Sequence, residues 1–128
     1  MAGTATVTET NAYNSREHGT VKKIKFDWAS DTTQTVSQAT TYTYNGAVLF
    51  VVTVPDGGGT APTALYDVAL NNTDGIDILG GQGANRSATA TEYLNYGSGL
   101  GAVDGGALTL TVAAAGENKG GLVYVFIG

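Results

Sequence analysis

Apolar residues in this chain recur with a period of two, and helical periodicity is nearly absent. In Thr20 to Ala29, Ile24, Phe26 and Trp28 share one face while Lys23, Lys25 and Asp27 share the other, the alternation of a half-buried strand. Thr33 to Tyr44 is rich in Thr and Tyr, and the following Asn45-Gly46 signals a tight hairpin turn. Ala47 to Val54 is apolar on both alternating faces. Pro55-Asp56-Gly57-Gly58-Gly59 ends it, because proline cannot continue a central ladder and glycine admits positive φ. Ala64 to Leu70 sets Tyr66, Val68 and Leu70 on one side, and a turn at Asn71 to Gly75 leads into a short strand, Ile76 to Leu79. After a loop at Gly80 to Asn85 comes a Thr- and Tyr-rich strand, Ser87 to Tyr96, and then a glycine-rich loop, Gly97 to Gly106. Leu108, Leu110 and Val112 alternate with outward Thr109 and Thr111. Ala113 to Gly121 turns the chain into Leu122 to Ile127, again apolar on both faces.

About eight short strands separated by turn signals predict an all-β fold: an antiparallel β-sandwich of jelly-roll or Greek-key type. Residues 1–18 read as an extended N-terminal arm that clamps onto a neighbour or a shell, with a weak alternation at Ala5, Val7 and Glu9 that also suits a short strand. Residues 19–128 make the sandwich domain.

The two doubly apolar segments carry the functional signal. One face of each enters the core, and the other needs a second cover. Leu49 with Val51, and Val123 with Val125 and Ile127, or their alternates, are the expected interface residues. The loops Gly80 to Asn85 or Gly97 to Gly106, folding back over one strand, are the other candidate cover.

Composition narrows this picture. The 128 residues suit one domain, large enough for a core without staples. No Cys is present, so disulfides and thiolate metal sites are excluded. Charged residues make up 13 %, against roughly 25 % in an ordinary globular domain, so Thr, Asn, Gly and Ser supply much of the polar surface. Net charge is −5, and the one basic cluster, Lys22, Lys23 and Lys25, fits the wet side of a strand rather than the basic stripe of a nucleic-acid binder. The longest apolar run, Ala47 to Val52, is far below the ~20 residues of a spanning helix. Met1 to Glu17 has neither the basic start nor the apolar stretch of a secretory signal, so the expected site of synthesis is the cytoplasm.

Candidate chemistry is sparse. The single histidine, His18, has no Gly-x-Ser-x-Gly elbow to serve and no second histidine for a metal site. Asn72, Asp74, Gly75 and Asp77 offer hard oxygen ligands, but in the helical-hand calcium pattern Leu70 falls in the first slot and Gly81 in the twelfth. An Asx turn explains them better. Gly57-Gly58-Gly59-Thr60 and Gly97-Ser98-Gly99-Leu100-Gly101 lack the lysine and the helix of a phosphate loop. Asp27, Asp67, Asp77 and Glu92 lie in strand-like segments, with nothing to place two of them in one cleft. No enzyme activity, cofactor or metal is expected. Tyr42, Tyr44, Tyr93 and Tyr96 lie in Thr-rich strands, where exposed tyrosines stack on sugars or fill an interface, and buried ones pack at the core edge.

Three stretches carry a resemblance. Gly19-Thr20-Val21-Lys22-Lys23-Ile24-Lys25-Phe26-Asp27-Trp28 looks like the opening of small virion proteins of tailed bacteriophages. Val54-Pro55-Asp56-Gly57-Gly58-Gly59-Thr60-Ala61-Pro62-Thr63, followed by Leu65-Tyr66-Asp67-Val68, is similar to a second part of them. Gly83-Ala84-Asn85-Arg86-Ser87 and Lys119-Gly120-Gly121 complete the likeness, which spans Gly19 to Ile127. Within that group the chain resembles head decoration, or cement, proteins. The resemblance implies a β-sandwich on the capsid exterior that contacts the major capsid protein and self-associates, most simply as a homotrimer. It implies no catalytic residue. A carbohydrate-binding or fibre-type module, using Tyr42, Tyr44, Tyr93 and Tyr96, and a tail or neck component are the alternatives.

Overall fold

A computed structural model describes residues 2–10, 21–95, 97 and 99–128. Strict alternation produces the strands that define the core. In β2 (Lys22–Ala29), Ile24, Phe26 and Trp28 are fully buried while Lys23 and Asp27 are exposed. In β8 (Thr109–Ala113) and β5 (Asp67–Asn71), Leu110, Val112, Val68 and Leu70 are buried. The remaining strands are β1 (Thr4–Thr10), β3 (Val36–Ala39), β4 (Tyr44–Pro55), β6 (Glu92–Asn95), β7 (Ala102–Gly106) and β9 (Gly120–Ile127).

The strands form an antiparallel sandwich. The main sheet runs β1-β2-β9-β4-β6, and β7 pairs with the start of β4 beyond the end of β6. The second sheet is β3-β8-β5. One cluster of buried residues fills the space between them: Ile24, Phe26, Trp28, Val51, Val123 and Val125 from the main sheet meet Val36, Val68, Leu70, Leu110 and Val112 from the smaller one. Each such side chain is worth roughly 1.5–3 kcal/mol when taken fully out of water. The nine strands and their order, more than a jelly-roll label, describe the fold.

Several sequence expectations change here. Half of the expected arm is strand β1, paired residue for residue with β2 from Thr4↔Ala29 to Thr10↔Lys23. Ala5 and Val7 pack against the core. Gly3 also bridges to Val36, so the beginning of the chain ties the two sheets together. The rest of the arm, including His18, lies outside the described residues. Asn45-Gly46 is not a hairpin: it lies inside β4, and the strand continues through it. Gly46 has φ 126°, and a Cβ there would sit 2.7 Å from the Gly128 carbonyl oxygen, so glycine is required by close backbone approach rather than by a turn. Ile76 to Leu79 is a turn and not a strand, although Ile78 and Leu79 plug the core. The second glycine-rich loop contains β7.

Candidate functional site

The outer face of the main sheet concentrates unusual side chains. β4 presents Phe50, Val52 and Val54 there, and β9 presents Phe126, Tyr124 and Leu122 directly opposite them. These six are half-buried. β6 adds Tyr93, opposite Val52 and 59 % exposed. The rings are in contact: Phe50 stacks on Tyr93 with centroids 5.7 Å apart, and it meets Phe126 at 5.9 Å with the planes tilted by 45°. On the other side of β9, the register sets Lys23 beside Phe126, Lys25 beside Tyr124 and Asp27 beside Leu122. Lys23 places its ammonium 5.3 Å from the Tyr124 ring centroid, a cation–π contact. Thr6, Thr8 and Thr10 of β1 complete the rows. The face is therefore divided laterally, apolar and aromatic over β6, β4 and β9, cationic and hydroxylic over β2 and β1.

The face expected to be outward on β4 and β9 is the inner one. Val51, Val123, Val125 and Ile127 are all within 1 % of complete burial, packed in the sandwich core. Their alternates face solvent. Leu49 belongs to neither row. The pairs Val48↔Ile127 and Phe50↔Phe126 leave it as the extra residue of a β-bulge. Up to Val48 the even-numbered residues of β4 are buried, and from Val51 the odd-numbered ones are. The bulge switches the parity.

The tyrosines separate. Tyr93 is on the outer face, and Tyr42 is exposed at 49 % in the loop before β4. Tyr44 is buried, and its hydroxyl donates to Glu9 Oε1 at 2.6 Å. The same carboxylate accepts the backbone N–H of Thr41 at 2.8 Å and of Tyr42 at 3.0 Å. Burial, then the bond to Glu9, push the Tyr44 phenol far above its usual range. Tyr44 is a structural residue and not a sugar platform. Tyr96 lies outside the described residues.

The oxygen-rich candidates are occupied by the backbone. Asp77 Oδ1 accepts from the N–H groups of Leu70 and Leu79, and Oδ2 accepts from Gly81, each at 3.0 Å. Asn72 Oδ1 caps its own turn through Asp74 and Ile76. Asp67 accepts from the N–H of Asn85, and Glu92 accepts from Ser87 while pairing with Arg86 at 3.4 Å. The remaining carboxylate candidate, Asp27, lines an open cleft of about 280 Å³ with Asp56, Ser30, Thr60 and Lys119. Its polar groups are tied up in fold-holding bonds. Ser30 Oγ donates to the Gly116 carbonyl at 2.6 Å, Lys119 Nζ donates to the Gly59 carbonyl at 2.9 Å, and Thr60 donates to Asp56 at 3.3 Å. Among the described residues, no group of three or more His, Cys, Asp or Glu could hold a metal ion. No helix there is long and apolar enough to cross a membrane.

No family model matches this chain, and no curated protein or solved structure matches it significantly.

Proposed function

We propose that the chain is a non-enzymatic structural protein that decorates a virion shell and stabilises it by bridging capsid subunits. The observation that carries this reading is the aromatic and aliphatic outer face of the main sheet, left open on a sandwich whose core is already filled by its own two sheets. Apolar area on such a face is recovered at about 25 cal/mol per Å² when a partner covers it, before the costs of ordering. Many copies on a symmetric lattice make modest contacts effective together. The sequence resemblance to head decoration proteins supplies the setting: the capsid exterior, the major capsid protein as partner, and a closed homotrimer as the simplest self-assembly. The test is a count of copies in purified particles by quantitative mass spectrometry. A copy number that follows the shell lattice is expected. The few copies of a ring would indicate a tail or neck component, and absence from the particle would refute the reading.

One observation favours a second reading. Tyr93, exposed and stacked on Phe50, makes an aromatic shelf of the kind on which sugar rings lie. A saccharide titration that Tyr93→Ala abolishes would establish a carbohydrate-binding module instead.

A further inference from the structure

We infer that the outer face of the main sheet docks a foreign protein surface whose apolar side chains are bordered by carboxylates, and that copies of this chain do not pair through it. The inference rests on the proposed shell-binding role and names the chemistry of the partner at that site. The argument begins with charge. Acidic residues outnumber basic ones in this chain, 11 to 6. Even so, neither Lys23 nor Lys25 has a carboxylate partner among the described residues. Lys23 rests instead on the Tyr124 ring, and Asp27, next along the same outer row of β2, pairs with neither. Two unpaired ammonium groups thus border the aromatic half of the face.

Self-pairing fits this pattern poorly. With a two-fold axis running across the strands, each strand lies over its own copy, and Lys23 and Lys25 meet Lys25 and Lys23. With the axis along the central strand β9, β2 lies over β4 and β1 over β6. That arrangement buries ammonium groups against Phe50 and Val52 with no anion to meet them, which costs desolvation without repayment. A partner with apolar side chains opposite β4 and β9 and carboxylates opposite β2 satisfies both halves. Charged rims of this kind set orientation and association rate more than affinity. Homotrimer contacts, on this view, use other surfaces.

The test uses the full chain and three twelve-carbon amphiphiles below their micelle concentrations: dodecanoate, dodecyltrimethylammonium and dodecyl maltoside. Amide shifts in two-dimensional NMR map where each binds. Dodecanoate is expected to perturb Lys23, Lys25, Val52, Tyr124 and Phe126, and to bind about tenfold tighter than the cationic amphiphile at low salt, the sum of two exposed ion pairs. The double variant Lys23→Glu/Lys25→Glu, exposed and remote from the core, should reverse the preference while keeping the fold. Equal binding of both ions, binding elsewhere, or a preference for the maltoside would overturn the inference. So would a concentration-dependent dimer in sedimentation that protects these same amides. Binding of the double variant to purified particles separates the two readings. Undiminished occupancy on particles refutes the charged docking face and leaves the decoration role standing. Charge-selective amphiphile binding by a chain that never occupies particles does the reverse.

Discussion

Glu9 holds the edge strand β1 to the rest of the sandwich, and its removal is the sharpest test of how the first strand is secured. Its two carboxylate oxygens accept three hydrogen bonds: Thr41 N–H on Oε2, and Tyr42 N–H and the Tyr44 hydroxyl on Oε1. In Glu9→Ala all three donors lose their acceptor. The two backbone groups are exposed and turn to water, so their loss costs about 0.5 kcal/mol each. The Tyr44 hydroxyl is buried, and leaving it unpaired costs about 1–3 kcal/mol. The sum is about 2–4 kcal/mol. With a urea slope of about 1–3 kcal/mol per M, the midpoint should fall by about 1–2 M. Glu9→Gln keeps one acceptor oxygen, which can hold the tyrosine while an NH2 group faces one backbone donor, so about half the loss is expected. Hydrogen exchange should speed up at Thr41, Tyr42 and along Thr4–Thr10 in both variants. An alanine variant within 0.5 kcal/mol of the parent, or a glutamine variant as damaged as the alanine one, would refute this account. Deletion of Met1 to Glu17 follows the same logic. It removes β1 and uncovers one edge of Ile24, Phe26 and Trp28, so it should weaken the fold itself and not only an attachment.

Further predictions rest on single sites. The Tyr66 hydroxyl is completely buried and has no hydrogen-bond partner, with the Thr53 hydroxyl near it but not bonded, so Tyr66→Phe should leave thermal stability unchanged or raise it; a loss above about 1 kcal/mol counts against it. Burial pushes this phenol up to about 12 from an ordinary 10.0. The unfolded chain therefore ionises first, and stability present below pH 10 should fall towards pH 12 by about 1.4 kcal/mol per pH unit for this proton. Tyr66→Phe should flatten that part of the alkaline unfolding curve. In Gly121→Ala the new Cβ lies 2.8 Å from the Val54 carbonyl oxygen and 2.9 Å from the Trp28 ring, so a loss of about 2 kcal/mol or more is expected in chemical denaturation. Asp77→Ala strips an acceptor from three backbone N–H groups and should cost about 2–3 kcal/mol. Calcium and a chelator should leave the melting temperature of the parent unmoved; a calcium-dependent rise would reopen the metal reading of that loop.

The sequence alone determined the fold class and the members of the core wherever the two faces of a strand differ in polarity. Ile24, Phe26 and Trp28 against Lys23 and Asp27, and Leu110 and Val112 against Thr109 and Thr111, can bury only one way, because a one-residue slip would put charge or hydroxyl inside. Pro55 and its glycines end β4 for local reasons that need no tertiary contact. Tertiary structure decided the rest. On β4 and β9 both faces are apolar, so a period of two offers no contrast, and the bulge at Leu49 sets which residues point inward. Hence Val51, Val123, Val125 and Ile127 are core, and Phe50, Val52, Tyr124 and Phe126 form the outer face. Tyr44 looked like its exposed neighbours until Glu9, 35 residues away, met its hydroxyl. Asn45-Gly46 has the composition of a turn, but β7 on one side and Gly128 on the other hold it extended. Local pattern chooses a face only when the two faces differ. Where they do not, long-range pairing chooses, and here it placed the aromatic residues on the surface where a partner can reach them.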